Sequence, residues 1–461
     1  MIVARRLAAV CAALALAACA VDARQDVAAY RDVLDAGLGQ PADAPQPGGA
    51  MDVRAALRLA NARNEALCAE GEGYVRALLD RRRAAAAFLP RIAFGPSLFR
   101  NEFTATDVRQ SGLDAPLAAS LRTNPVSDDA EIRRADATSE ERLARLLALQ
   151  DSVLADAART LLGVVLLERR VAVLRSSLTV QEARAEDARV RRDTGLARPL
   201  DAALAESRSA GTRVELVEAE TAARRGRALL AFLTGAGVED VRLDDALEVP
   251  DAPPALGTVT ARAAQRRMEI AAGRSAVLAA LAGVESAYGQ WYPSVSANVT
   301  AFLRRDSSGT APEWTSLLSV SIPLFTAGVV EADVRSALSR LREARDRLSL
   351  TERSVRREVE DAWTGFESAR RRIDEVRVRL DASRRAVEQA DGLWTAGLAT
   401  NLERLTAQDE ALSAELDLAG AEIARKSSYL DLQHAAGSLH ELIGLDRTGV
   451  AAGEDQGARA R

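Results

Sequence analysis

The sequence predicts a mostly α-helical chain with a small β part, built from one helix–strand–strand–long helix–helix unit used twice. Three observations predict it. Trp291 to Phe325 alternates polar and apolar residues in two arms, Val355 to Leu380 steps apolar residues by four and three, and landmark motifs recur about 200 residues apart.

The alternating stretch reads as a β-hairpin. In its first arm Val295, Ala297, Val299 and Ala301 interleave with Ser294, Ser296, Asn298 and Thr300. In its second arm Trp314, Leu318, Val320 and Ile322 share one face, and Thr315, Ser319 and Ser321 share the other. Period-two alternation over roughly ten residues per arm suits a strand with lipid on one side and water on the other. The connecting RRDSSGTAPE is polar and carries Gly and Pro, as a loop outside a bilayer requires. Trp291, Tyr292, Phe302, Trp314 and Phe325 lie near the arm ends, where aromatic rings favour the headgroup level. A soluble amphipathic hairpin packed on a helix is the alternative. Context argues against it, because a second candidate hairpin lies upstream and both open into very long helices.

The long helices carry their own periodicity. Val355, Val359, Ala362, Phe366, Ala369, Ile373, Val376 and Leu380 form a seven-residue coiled-coil seam. The proline-free run from about 330 to 394 would measure roughly 95–100 Å at 1.5 Å per residue. Its counterpart at about 128–194 carries Leu147, Leu154 and Leu161 at sevens. Gly195 and Gly397 suit the left-handed position that ends a helix, and Pro199 suits the first turn of the next. Thr400 to Glu403 has capping-box spacing.

Duplication follows from the landmarks. Phe88-Leu89-Pro90 corresponds to Trp291-Tyr292-Pro293, Asn124-Pro125 to Ile322-Pro323, and Thr194-Gly195-Leu196-Ala197 to Ala396-Gly397-Leu398-Ala399. The chain divides accordingly. Residues 1–18 form a signal peptide and 19–50 an extended tether. A first repeat covers 51–248, with strands near 88–100 and 115–125, a long helix near 128–194 and a return helix near 199–235. A Pro-rich linker spans 249–258. The second repeat covers 259–445, with strands near 291–303 and 314–325 and helices near 330–394 and 401–440; residues 446–461 form a tail.

Composition supports an unusual architecture. The 461 residues include only 4% aromatics, Lys426 is the sole lysine, and the net charge of −5 is mixed throughout. No basic run suits nucleic acid. Arg5 and Arg6 precede an apolar segment, Leu7 to Ala18, that is too short to span a bilayer as a helix. Removing both arginines leaves a mature charge near −7. Leu16-Ala17-Ala18-Cys19 reads as a lipobox, with Cys19 the acylated residue; a plain signal peptide with an incidental cysteine is the alternative. Cys11 leaves with the signal, so Cys68 has no partner for a disulfide and reads as a buried thiol. His434 and His440 are six apart and read as surface residues rather than a metal pair. Asp128-Asp129 and Asp244-Asp245 read as solvated or capping positions. No phosphate loop, nucleophile elbow or zinc spacing occurs, so neither an enzyme, a metal centre nor a soluble cofactor is expected.

Four strands cannot close a barrel, and open strand edges are not tolerated in hydrocarbon. The chain must therefore share a barrel with copies of itself. Small polar faces suit a wet wall, which favours three or more copies.

These pieces together resemble the TolC family of outer-membrane efflux proteins, in particular its acylated subgroup of drug- and metal-efflux outlets. The resemblance rests on the lipobox, Tyr292-Pro293-Ser294-Val295, Ile322-Pro323-Leu324-Phe325-Thr326-Ala327-Gly328, Ala396-Gly397-Leu398-Ala399, Leu405-Thr406-Ala407-Gln408 and the duplication, over about residues 50–445. It implies a homotrimer in the outer membrane of a Gram-negative bacterium, with a 12-stranded β-barrel continued by a 12-helix periplasmic α-barrel. It also implies an equatorial region drawn from parts of 20–60, 235–260 and 440–461. The expected role is the passive exit duct of a tripartite pump, whose partners are a periplasmic membrane-fusion adaptor, an inner-membrane transporter reached through it, and outer-membrane lipid. A palmitate-type anchor on Cys19 is the only covalent group expected. The first strand exit, Thr123-Asn124-Pro125-Val126-Ser127-Asp128, departs from the Pro-Leu-Phe-x-x-Gly pattern, and Arg122 falls on the presumed lumen face.

Candidate site residues lie at the helical tips. Gly195, Leu196, Ala197, Gly397, Leu398 and Ala399 are candidate adaptor contacts; helix termination explains the glycines but not the leucines. The resemblance makes Glu403, with Asp201, a candidate acidic pore constriction, although Thr406 replaces a second family acid. Helix capping explains the same two residues. Alternative functions are a type I protein-secretion outlet and a lipid-anchored periplasmic coiled-coil adaptor or scaffold.

Overall fold

The structure, a computed structural model, describes residues 23–38, 49–103, 108–195, 197–306, 312–396, 398–445 and 447. Two compact units cut across the sequence repeats. One draws on Met1–Asp32, Glu70–Leu146 and Glu269–Thr351, the other on Val33–Ala69, Leu147–Met268 and Glu352–Arg461.

In order, the helices are α1 (Ala23–Leu34), α2 (Val53–Arg63), α3 (Glu65–Ala85), α4 (Pro125–Asp193), α5 (Pro199–Thr234), α6 (Leu256–Arg266), α7 (Met268–Gly289), α8 (Val329–Thr395) and α9 (Asn401–Ala435). The strands are β1 (Ala50–Met51), β2 (Arg91–Phe94), β3 (Ser97–Phe103), β4 (Val108–Thr123), β5 (Arg242–Leu243), β6 (Ser294–Arg305) and β7 (Trp314–Ser321).

In the first unit, β4, β6 and β7 are consecutive antiparallel neighbours, and β2 and β3 both pair with the outer side of β4. β2 and β3 keep one register, with Phe94 opposite Leu117 and Ser97 opposite Asp114. They are one strand interrupted at Gly95-Pro96, where the Gly95 N–H still donates to the Pro116 carbonyl at 3.2 Å. Proline removes a ladder donor, which is why both prolines sit at irregularities, Pro116 beside the bulge between β4 and β6. The β4–β6 pairing joins the hairpins of the two repeats, Thr123 lying opposite Val295.

The two strand exits differ for a legible reason. β4 runs straight into α4, with Pro125 in the first turn, Asn124 Oδ1 accepting from the Ser127 amide at 3.2 Å, and the Asp128 carboxylate accepting from the Asn124 amide at 2.9 Å. After β7 the chain turns through Ala327 and Gly328, both at positive φ, before α8 begins. Beside the first exit, Gly289 admits the backbone of Ser127; a Cβ there would lie 2.7 Å from it. Val284 and Ala287 of α7 pack on Val330, Val334, Ala337 and Leu341 of α8.

In the second unit, Leu57 and Leu59 of α2 meet Leu154, Leu161 and Leu162 of α4, together with Leu230, Ile423, Leu430 and Leu439. The parallel pair β1–β5 closes one side of this core. Val355, Val359, Phe366, Ile373, Val376 and Leu380 are all buried, as a coiled-coil seam requires. Phe366 stacks obliquely on Tyr429 of α9, with ring centroids 5.8 Å apart.

Four sequence expectations need correction. Residues 23–34 of the expected tether are helical, because Tyr30 and Leu34 lie four apart and are buried. Gly71 leaves room for the Tyr30 ring. His440 is buried rather than superficial, its Nδ1 3.8 Å from Asp151. Asp245 is also buried: Arg169 donates to both its oxygens at 2.8 Å, and the Lys426 ammonium lies 2.6 Å away. Burial alone would raise the Asp245 pKa, but Lys426 and Arg169 outweigh it and hold the carboxyl below its ordinary value. Cys68 is only half-buried. Short-range sequence pattern could not see the distant partners that make these positions interior.

Candidate functional site

Strand register sorts the first unit's sheet into two chemically distinct faces, because directly opposed residues project to the same side. One face carries Ile92 and Phe94, then Leu117, Ala119 and Leu121, then Val295, Ala297, Val299 and Ala301, then Trp314, Leu318 and Val320. The other carries Arg91, then Ser120 and Arg122, then Ser294, Ser296, Asn298 and Thr300, then Thr315, Ser319 and Ser321, with Ala93, Ala118, Leu317 and the Pro116–Phe302 pair as its apolar members.

The apolar face is uncovered within the chain: Ile92 is 69%, Leu318 70% and Val320 60% exposed. An apolar patch of this extent marks a surface meant for lipid or protein. Phe88, Trp291, Tyr292 and Phe325 are exposed near the helix-proximal strand ends, the level at which amphipathic rings collect in a bilayer. Among the described residues both outer strands have one free edge: β7 pairs only with β6, and β2 and β3 pair only with β4.

The helical tips lie in the second unit. At the first, Gly195 adopts φ 78° and its amide donates to the Arg192 carbonyl at 3.0 Å, which closes α4 in a Schellman-type turn. Asp201 begins α5, accepting from the Arg198 amide at 3.3 Å and from its guanidinium at 3.1 Å, and is buried. At the second tip, the Leu398 amide donates to the Leu393 carbonyl at 2.8 Å. Thr400 and Glu403 form a reciprocal capping box: the Thr400 amide donates to Glu403 at 2.7 Å, and the Glu403 amide to Thr400 Oγ1 at 3.3 Å. These bonds from Thr400 hold the Glu403 carboxyl below its ordinary pKa.

The tips also touch each other. Asn401 Nδ2 donates to the Asp201 carbonyl at 3.4 Å. Asp391 of α8 takes Arg184 of α4 at 3.1 Å and lies 3.9 Å from Arg404 of α9. The Arg404 guanidinium sits 5.1 Å from the centroid of the Trp394 ring. Burial, aided by nearby Arg184, pushes the Arg404 pKa down.

Comparison with known proteins shows what this chain resembles. The family model described as "Outer membrane efflux protein" matches residues 259–438. The outer membrane efflux protein BepC of Brucella suis is 25% identical over 352 residues, which cover 74% of this chain and 75% of BepC. Residues 259–438 of this chain are thus similar to the outer membrane efflux protein family. Among solved structures, the fold is that of the VceC outer membrane protein of Vibrio cholerae (TM-score 0.75, 20% identity, 84% of this chain and 96% of that one). It is also that of the CmeC outer membrane channel of Campylobacter jejuni (TM-score 0.77, 16% identity, 88% of each chain).

The described residues among the expected tips fall where two helices turn. Leu398 is 77% exposed, and Ala197 and Ala399 are half-buried. Leu196, Gly397 and Cys19 lie outside the described residues. Asp201 and Glu403 are not equivalent in their surroundings: Asp201 is buried against the other tip, whereas Glu403 is exposed. Sequence reasoning missed Arg91 as a companion of Arg122 on the polar sheet face. The signal was available only through parity, since Arg91 precedes Ile92 and must project opposite to it.

Proposed function

We propose that three copies of this efflux protein form the outer-membrane outlet of a tripartite efflux system, pooling their sheets into one 12-stranded barrel above a bundle of 12 long helices. The observation that carries the reading is an amphipathic sheet with two free edges. Each unpaired backbone group in hydrocarbon costs several kcal/mol, roughly, so an open sheet with a lipid-suited face needs neighbours on both sides. Pairing β7 of one copy with β2 and β3 of the next satisfies both edges at once. Twelve strands leave a lumen, and the polar face lines it.

The tips are the proposed adaptor-docking surface, made of Gly195, Leu196 and Ala197 and of Gly397, Leu398 and Ala399, with the exposed Leu398 in support. Through the adaptor, an inner-membrane transporter supplies energy and the channel stays passive. Glu403, capped yet exposed, and Asp201 are the proposed acidic constriction, where threefold repetition gathers carboxylates and favours cations. Acylation of Cys19 tethers the chain to lipid.

Planar-bilayer conductance of the purified protein, with its oligomeric mass, tests the assembly. A trimer that conducts is expected; a monomer without a pore overturns the channel and favours a lipid-anchored periplasmic scaffold. Glu403→Gln is expected to lower cation selectivity, and unchanged selectivity rejects the acidic ring. Cys19→Ala is expected to abolish incorporation of labelled palmitate.

A further inference from the structure

We propose that the polar face of the sheet carries a binding site for multivalent anionic solutes, formed by Arg91 and Arg122 at the strand ends nearest the helices. It rests on the channel reading only for its place in the export path; the site itself is a property of one chain.

The register brings the two side chains together. Arg91 lies opposite Ser120 on β4, and Arg122, two residues on, lies opposite Ser296 on β6. Both therefore project to the polar face as diagonal neighbours, with Cα atoms about 7–8 Å apart, a spacing that long side chains bridge easily. They line a cavity of about 660 Å3 together with Ser120, Ser294, Ser296 and Asn298. Both are exposed, and among the described residues neither makes an ion pair or a side-chain hydrogen bond.

The one carboxylate lining the cavity is engaged elsewhere. Asp128 accepts from the Thr123 hydroxyl and the Asn124 amide, both at 2.9 Å, so its charge is committed to the start of α4. The next charged groups on this face lie far along the strands, where Arg305 is opposite Asp114. The helix-proximal zone thus presents two guanidiniums, hydroxyl groups and an amide, all able to donate. Guanidinium forks match carboxylate, sulfonate and phosphate oxygens in pairs. A solute with several such groups engages both arginines, whereas a cation is repelled. Repeated around a lumen, six guanidiniums at one level would concentrate anions there, opposite in sign to the Glu403 tips.

The test uses the detergent-solubilised full chain and the trisulfonate dye pyranine, read by fluorescence anisotropy at low salt. Saturable binding that weakens as salt rises is expected. Arg91→Gln/Arg122→Gln should weaken it at least tenfold. Arg91→Lys/Arg122→Lys, which keeps the charges, should retain most of it, and Arg100→Gln, on the other face, should leave it unchanged. No saturable binding to the wild-type chain, or binding indifferent to the double Gln substitution, overturns the site. Bilayer conductance of the same preparation separates the two ideas: dye binding without conductance sinks the channel reading alone, and conductance without dye binding sinks the anion site alone.

Discussion

Arg447 grips Asp151 with both terminal nitrogens, Nη1 to Oδ2 at 2.8 Å and Nη2 to Oδ1 at 3.0 Å, and both residues are buried. Arg447 also donates to Gln150 Oε1 at 2.6 Å, and Gln150 donates to the Leu34 carbonyl at 2.8 Å and to Asn61 at 2.6 Å. Segments from near both ends of the chain are thereby fastened to one turn of α4.

Removing one member of a buried ion pair leaves an uncompensated charge, so Arg447→Met should destabilise the second unit by about 3–5 kcal/mol. A fall in the thermal unfolding midpoint in detergent checks this. The pH dependence has a definite sign. Burial alone would raise the Asp151 pKa, but Arg447, assisted by His440, outweighs it and holds the carboxyl below its ordinary value. A carboxyl with a lowered folded pKa stabilises fully above its unfolded pKa of about 3.9 and loses that contribution as pH falls through the folded value. The stability gap between wild type and Asp151→Asn should therefore be constant above pH about 4 and narrow below it.

Face assignment in the sheet predicts an asymmetry between neighbours. Leu318 lies on the apolar face and Ser319 on the polar one. Leu318→Arg should cost about 2–4 kcal/mol if it sits near the bilayer midplane, whereas Ser319→Arg should insert normally. Outer-membrane fractionation of the two variants reads the difference; equal insertion would reverse the assignment of the lipid face.

The seam of α8 makes a similar contrast. Phe366 is fully buried against Tyr429, and Val378 is 64% exposed. Phe366→Ala should destabilise by about 3–5 kcal/mol. Val378→Ala should stay within about 0.5 kcal/mol in the isolated chain. If Val378→Ala instead weakens the assembled protein, that face of α8 is covered by a neighbouring subunit.

At the second tip, Thr400→Ala removes the acceptor for the Glu403 amide and one of the groups that lower the Glu403 pKa. Loss of a Thr cap should cost about 1 kcal/mol, read as faster amide exchange in the first turn of α9. Because the Glu403 pKa is lowered in the wild type, its charge persists into more acidic solution than an ordinary glutamate's. Any cation preference due to Glu403 should then vanish at a higher pH in Thr400→Ala than in wild type, as measured by reversal potential.

Much of this protein is legible in its sequence because its signals are local. The seven-residue spacing of Val359, Phe366 and Ile373 forces a long buried seam, Thr400 and Glu403 fix a helix start, and the alternation around Val295 to Ala301 fixes a two-faced strand. Each depends on residues within a few turns of one another, so linear order suffices. Tertiary structure alone decided that the two repeats join through β4 and β6, that Arg91 stands beside Arg122, and that His440, Asp245 and, in the helix Ala23–Leu34, Tyr30 and Leu34 are interior. Those outcomes depend on partners from about thirty residues away, as for Arg91 and Arg122, to well over a hundred, such as Arg447 for Asp151 and Lys426 for Asp245, and burial is set by which distant surfaces meet.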